Sequence, residues 1–433
     1  MLFGHPDHPG HRVRLSYCLN LHPAEDLDGV FAGMDEFTLP LAERLGAETG
    51  FGLGAWLAAA VAIPLGAGEG LRRYIDYVRD HGLDAFTYNA FPYGGFHRPG
   101  LKSGVFRPTW KETERVVFTA SVARVASRVW ASTGKGPAHV SISTHTGLFG
   151  GDVKGARDLE IVADNFARMA GLFARVEKSS GCRVVLALEP EPRASAGDTA
   201  ALAELHRLVH ERAPGVLPEE QGLDPEVLPG LIRRHLGTCL DACHSAVEFE
   251  HPQDAFLAAT RDGTPLAKLQ FSSALELDDP AGNATARERL FALDEPVYLH
   301  QVTGRGPDGL RRAADLPEVR DAFAAGRDGW RETDLWRCHF HVPVDLGTVG
   351  ESSGGLSTTR AYADELLALA LSDPVRWGTE ELHLEIETYT WDVLPGEARG
   401  EGTLLDGLER EYRHVEARLA ESGWTRAASQ ADA

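Results

Sequence analysis

Cysteine is scarce in this chain, with five among 433 residues: Cys18, Cys182, Cys239, Cys243 and Cys338. An odd, scattered handful excludes a disulfide framework and favours a reducing compartment. The spacing of Cys239 and Cys243 fits no usual zinc module, which leaves them as small buried side chains. Long apolar runs are missing too. The longest, residues 51–65, is too short and too glycine-rich to span a bilayer. Residues 1–14 are polar and lack the apolar segment of a signal peptide. The expectation is a cytoplasmic protein with no direct membrane insertion. Positive charge is in deficit as well, with 43 Lys and Arg against 64 Asp and Glu, a formal net charge of −21. A surface this acidic repels phosphate backbones and anionic lipid, so nucleic acid is not an expected partner.

What the chain does have is a rhythm. Short β-rich runs at 15–21, 52–57, 85–90, 139–144, 183–188, 237–241, 267–272 and 381–388 are apolar or small at most positions, as strands buried on both faces are. Amphipathic runs lie between them, at 70–81, 115–131, 158–178, 359–371 and 404–419. Gly82 and Gly181 stand just past two of these as C-terminal stops. Alternating strands and helices imply a parallel sheet, and eight repeats favour closure into a (β/α)8 TIM barrel over an open doubly wound sheet. The reading is one barrel domain over 1–425, with 426–433 as a disordered tail. The interval between the seventh and eighth strands exceeds a hundred residues where a barrel needs one helix. Two further strand-like runs there, 296–302 and 337–344, suggest a β-hairpin inserted at about 275–358, serving as a lid or pocket wall.

Polar residues gather where these strands end. Glu189 closes an apolar strand and Pro190 stops the ladder, which places a carboxylate in the barrel mouth, with Glu191 as the blander neighbour. Asp241 ends the next strand and His244 follows at i+3, on the same side of a starting helix. Such a pair is half of a metal site or, equally, a helix cap with an incidental histidine. Gln270 offers a carbonyl oxygen on the seventh strand, and Lys268 shares its parity. His339 and His341 share one face of an inserted strand, with His341 nearer its tip. On the last strand His383, Glu385 and Glu387 face the barrel axis, with Glu387 nearest the mouth. Asn20, His22, Asn89, Tyr93, His97 and His145 lie at the ends of the earlier strands. Together they suit a small polyhydroxylated metabolite, with aromatic faces for rings and amides for hydroxyls.

A glutamate after the fifth strand, Asp-x-x-His after the sixth and a glutamate on the eighth resemble the xylose isomerase-like barrels. More closely, Tyr17-Cys-Leu-Asn20-Leu-His22-Pro-Ala-Glu25, Phe91-Pro-Tyr93-Gly and Glu387-Thr-Tyr-Thr-Trp391-Asp-Val-Leu-Pro resemble the metabolite traffic family EboE. The resemblance implies a divalent metal ion (zinc, manganese or magnesium) held by Glu189, Asp241, His244, Gln270, His341 and Glu387. It further implies that Glu189 and Glu387 are the catalytic acid and base, that His244 and Gln270 also contact substrate, and that partners are encoded in the same gene cluster. Gln270 departs from the pattern, which has histidine there, and His341 or His339 would complete the metal sphere. Three functions are therefore expected in order: a sugar or cyclitol isomerase or epimerase, a non-catalytic metabolite carrier, and a metal-dependent phosphoester hydrolase.

Overall fold

The computed structural model describes residues 1–427 apart from 23, 48–49, 67, 96, 98, 134–135, 351–354, 392–393 and 395–401. Sixteen strands are found among the described residues. Eight of them are β2 (Arg12–Cys18), β3 (Phe51–Trp56), β4 (Leu83–Asn89), β5 (Val140–His145), β6 (Val184–Glu189), β7 (Leu236–Asp241), β8 (Leu266–Phe271) and β15 (Glu381–Ile386). These pair in parallel in chain order, and β15 pairs with both β8 and β2, so the sheet closes on itself. Leu384 stands opposite Leu15 on one side and Leu269 on the other. The open-sheet alternative is thereby excluded, and the fold is a (β/α)8 barrel. Most of these strands are buried along their whole length, because helices such as Glu69–Asp80, Thr113–Thr133 and Ala156–Ser180 cover the outside.

The barrel axis is polar. Lys268 Nζ lies 2.5 Å from Glu385 Oε1, with both side chains fully buried, and donates to Ser143 Oγ at 3.0 Å. Space for Glu385 depends on Gly54 opposite: a Cβ there would collide with the Tyr17 carbonyl oxygen and with Glu385 Oε2. Gly54→Ala should therefore cost about 1–3 kcal/mol of stability by overpacking. Urea titration reads this directly, and an unchanged midpoint would contradict it.

Two strands close the barrel's N-terminal end. β1 (Leu2–Gly4) runs antiparallel to β2 and also to β16 (Thr425–Arg426), so that Phe3 faces both Val13 and Arg426. Arg426, the first residue of the expected tail, is paired, and residues 428–433 lie outside the described residues.

The insertion after β8 is larger than the expected hairpin. It holds β9 (Ser273–Asp278), β10 (Val302–Gly306), β11 (Gly309–Ala313), β12 (Leu335–Val342), β13 (Thr348–Val349) and β14 (Leu356–Thr358), joined as one antiparallel sheet. β10 and β12 pair as neighbours, but β10 turns first into β11, and β12 is sandwiched between β10 and β9. Helices Ala284–Ala292 and Leu316–Ala325 cover the sheet, and Leu277, Leu290, Leu316, Trp330 and Trp336 give it a core of its own. The physical reason is burial: a two-stranded hairpin cannot hide these side chains, whereas a covered sheet can. The pairing of β12 with β9 is regular up to Cys338–Leu275 and resumes at Val342–Ser273, so β12 carries extra residues between them. That irregular stretch is His339-Phe340-His341, and bulges of this kind re-aim side chains beside functional sites.

Candidate metal centre in the barrel mouth

A cleft of about 570 Å³, counted out to its mouth, opens at the C-terminal ends of the barrel strands. Its floor is barrel (Asn20, Asn89, Glu189, Glu191, His244, Glu387). One wall is Phe91, Pro92, Leu101, Lys102 and Val105, and the other is the insertion's Val297, Tyr298, Leu299, His339 and His341, joined by Tyr389. The insertion is therefore a pocket wall.

Two donor sets meet where the barrel mouth and the insertion join. The first is carboxylate. Oxygens of Glu189, Asp241 and Glu387 lie within 4.8 Å of one another, all buried. Burial first, and then mutual repulsion, pushes the Glu189 and Glu387 carboxyls well above the usual range, against the pull of Lys268 below. Burial raises Asp241 as well, with His341 and its hydrogen bonds opposing. Asp241 is also a helix cap: Oδ1 accepts from His244 N at 2.8 Å, and Ser272 Oγ donates to both of its oxygens at 3.1 and 3.2 Å. The helix-cap reading of the Asp-x-x-His motif thus holds for Asp241, which is also one of the buried carboxylates that could hold a metal ion. Glu387 Oε1 accepts from Asn20 Nδ2 at 2.7 Å and more weakly from Asn89 Nδ2 at 3.4 Å. Glu189 Oε2 has no hydrogen-bond partner among the described residues.

The second set is imidazole. The Nε2 atoms of His244, His339 and His341 face one another at 3.2 Å (244–339), 3.4 Å (244–341) and 2.8 Å (339–341). Burial drives all three rings toward neutrality, lowering His244 to about 3 and His341 to about 4, and carrying His339 well below its usual value with His244 and His341 adding to the effect. Neutral imidazole is the form that binds metals.

The remaining expected site residues divide. Asn20, Asn89 and His244 line the cleft. His97 is set back from it and ties the wall to the barrel. Its Nε2 donates to the Asn20 carbonyl at 2.9 Å, and its Nδ1 is 2.7 Å from the Tyr298 hydroxyl. Three others sit in packing roles instead. His22 stacks on Phe37 at 4.4 Å with Nε2 3.0 Å from the Tyr17 hydroxyl. Tyr93 packs on Phe118 and on the Arg115 guanidinium. His145 is wedged between Phe91 and Phe106, its Nδ1 accepting from Gly147 N. In each case a partly apolar ring finds an aromatic neighbour behind the strand end rather than the open cleft. Gln270 is engaged as well: the oxygen expected to meet a metal accepts from Cys239 Sγ at 3.0 Å. The five cysteines are all free and buried.

No family model matches this chain, and no curated protein matches it. Among solved structures, the IolI protein with a bound zinc atom is similar over 95% of this chain and 99% of its own, at 10% identity and a TM-score of 0.43. The probable 3-DHS dehydratase AsbF, involved in petrobactin synthesis in Bacillus anthracis, is similar over 60% of this chain and 73% of its own, at 14% identity and a TM-score of 0.36. At these values neither likeness carries an argument about this chain's chemistry. Among the described residues, no helix is long and apolar enough to cross a membrane.

Four contributors escape sequence reasoning. Glu191 lines the cleft, and burial pushes its carboxyl up to about 8, with the Gln301 hydrogen bond opposing. Gln301 Nε2 donates to Glu191 Oε1 at 3.1 Å and to the Pro192 carbonyl at 3.2 Å. Tyr298 and Tyr389 complete the wall. The one available signal was Glu-Pro-Glu at 189–191, two carboxylates at a strand end, while Gln301 stands just before β10 in an ordinary-looking run.

Proposed function

We propose that this chain is a metal-dependent isomerase or epimerase of the xylose isomerase-like kind, acting on a sugar or cyclitol. We place it with the EboE family of metabolite-traffic proteins, working in the cytoplasm beside partners encoded in the same gene cluster. One observation carries the reading. Glu189, Asp241 and Glu387 bring buried carboxylate oxygens within 4.8 Å of one another, and Glu189 and Glu387 line the cleft in the barrel mouth. Three such groups are stable together only if they take up protons or a cation. Oxygen donors suit a hard divalent ion, and the partnerless Glu189 Oε2 leaves a free donor, so the residues fit one. When bound, that ion supplies Lewis-acid polarisation of a substrate oxygen.

The chain's own groups do the rest. Burial raises the proton affinity of Glu189 and Glu387, and these two carboxyls would take the proton beside the substrate carbonyl and return it. Asn20 and Asn89 fix the Glu387 carboxylate by donating to one oxygen. Phe91, Tyr298 and Tyr389 wall the cleft with faces that suit the C–H side of a sugar ring.

The test is proton exchange. A panel of ketoses and inososes is incubated with the metal-loaded protein in D2O and followed by NMR. At least one compound should exchange the hydrogen beside its carbonyl, and Glu387→Gln should slow that exchange by at least about 100-fold. Exchange that Glu387→Gln and Glu189→Gln both leave untouched would sink the reading. Tight binding of a panel member that survives Glu387→Gln, with no exchange in the wild type, would put a carrier ahead. Phosphoester hydrolysis is a second reading, favoured by the imidazole set, because two cations can clamp a phosphate.

A further inference from the structure

The three imidazoles differ from the carboxylate set in origin and in chemistry. His244 belongs to the barrel, but His339 and His341 come from the irregular stretch of β12 in the insertion. Each ring is anchored by its other nitrogen. His244 Nδ1 is 3.0 Å from the Pro190 carbonyl, and His341 Nδ1 is 3.0 Å from the Glu387 carbonyl. His339 Nδ1 is 2.5 Å from Gln301 Oε1. The Gln301 amide can face only this way, because its nitrogen sits against the Pro192 carbonyl, which cannot donate. A carbonyl oxygen only accepts, so each Nδ1 carries its ring's single proton and each Nε2 is left as a bare lone pair.

Three bare lone pairs therefore converge in a buried place. Without something positive between them the arrangement is repulsive. In a zinc coordination sphere, zinc–nitrogen bonds of about 2.0–2.1 Å at tetrahedral angles put ligand nitrogens roughly 3.3 Å apart. His244 stands at that spacing from both His339 and His341, at 3.2 and 3.4 Å, and His339 and His341 are closer to each other, at 2.8 Å. Imidazoles whose second nitrogen is fixed by a carbonyl or amide oxygen are the usual supporting arrangement of protein metal sites.

We infer that His244, His339 and His341 form a cation site of their own, for a borderline divalent ion of the zinc type, separate from the carboxylate set. The three rings line the cleft, and an ion held by three nitrogen donors with its fourth position open would follow the pattern of a reactive rather than a structural zinc site. The fourth position has polar neighbours, since the Tyr389 hydroxyl is 3.5 Å from His339 Nε2 and Glu191 lies within ligand range of His244 and His339. Asp241 is shared. It falls within 4.8 Å of Glu189 and Glu387 and, separately, of His244 and His341, so its carboxylate lies between the two sites. The inference goes beyond the proposed function and does not depend on it, because the imidazole ring is complete without Glu189 or Glu387. It gives the insertion a role: supplying the nitrogen ligands that convert a carboxylate floor into a mixed centre, with a hard ion on one side and a softer one on the other.

The experiment is zinc binding by the full chain. Metal-free protein is loaded with zinc and desalted, then analysed by elemental analysis and by zinc X-ray absorption. The wild type should retain zinc bound by three imidazoles. His339→Ala should lose that zinc, while the double variant Glu189→Gln/Glu387→Gln should keep it. Gln301→Leu should weaken its affinity by roughly 10–100-fold, by freeing the His339 ring. Should His339→Ala fail to fold, the absorption spectrum of the wild type decides alone: fewer than three imidazoles overturns the inference. Zinc that is kept by His339→Ala but lost in the double variant also overturns it, while leaving the carboxylate reading intact. Zinc kept by the double variant and lost by His339→Ala supports it even if the exchange experiment fails. No zinc retained at all overturns it.

Discussion

Glu411→Gln should become more stable than the wild type as pH rises, by on the order of 4 kcal/mol between pH 5 and pH 9. Glu411 lies on the last helix, Leu404–Glu421, and is fully buried against the barrel. One carboxyl oxygen accepts from Thr388 Oγ1 at 2.5 Å and from Val344 N at 3.1 Å, and the other has no partner among the described residues. Burial pushes this carboxyl up to about 8 from 4.5, with the Thr388 bond opposing and Asp345 adding. A carboxyl raised in the folded state favours the protonated fold. Its contribution is complete below pH 4.5 and is lost as pH climbs through about 8. Glutamine keeps the shape and has no charge to bury, so the variant escapes that loss. The comparison must be between variant and wild type at each pH. Buried bases act in the opposite sense. Urea unfolding across this range reads the difference, and parallel pH profiles would show that Glu411 is already ionised in the fold.

Lys268→Met should destabilise the protein by about 3–5 kcal/mol, and Lys268→Met/Glu385→Leu should recover most of that loss. Burial alone would discharge the Lys268 ammonium, but the Glu385 carboxylate overrides it and raises its pKa. The pair sits on the axis with neither side chain exposed. Removing one partner leaves a charge with no water to solvate it, whereas removing both leaves an apolar layer like those of ordinary barrels. Chemical unfolding of the single and double variants gives the coupling directly. A double variant no better than the single one would mean that Lys268 acts on the wider set of carboxylates above it rather than on Glu385.

Much of the scaffold was legible in advance. All eight barrel strands were read to within a few residues, because strands buried on both faces leave continuous apolar runs that differ from the 3.6-residue pattern of the helices around them. Placing Glu189, Asp241 and Glu387 in the mouth needed only their position at strand ends, since in a parallel barrel every strand ends on the same face. Asn20 and Asn89 followed by the same rule. It failed for His22, Tyr93 and His145, whose rings turn back to aromatic neighbours just behind those ends. A strand end fixes where a Cα goes, and χ angles then choose between cleft and packing.

The insertion was legible as an interruption with two strand-like runs, but not as a six-stranded sheet. Its strands are short and antiparallel, and its pairings join β9 to β12 and β14 across long stretches of chain, so no local period reveals the register. Gln301 illustrates the consequence. Nothing near it in sequence marks it, yet it orients His339 by linking that ring to Glu191 and Pro192, more than a hundred residues away.

The sequence by itself determined the barrel, its open end and the carboxylates there, because those depend on periodicity and on where a strand stops. Only the tertiary structure decided that His244, carried by the barrel, meets His339 and His341, carried by the insertion, with three nitrogens turned inward. That meeting depends on an irregular pairing in a separately packed sheet and on hydrogen bonds to backbone carbonyls. Neither the irregularity nor those bonds leaves a trace in residue type or spacing.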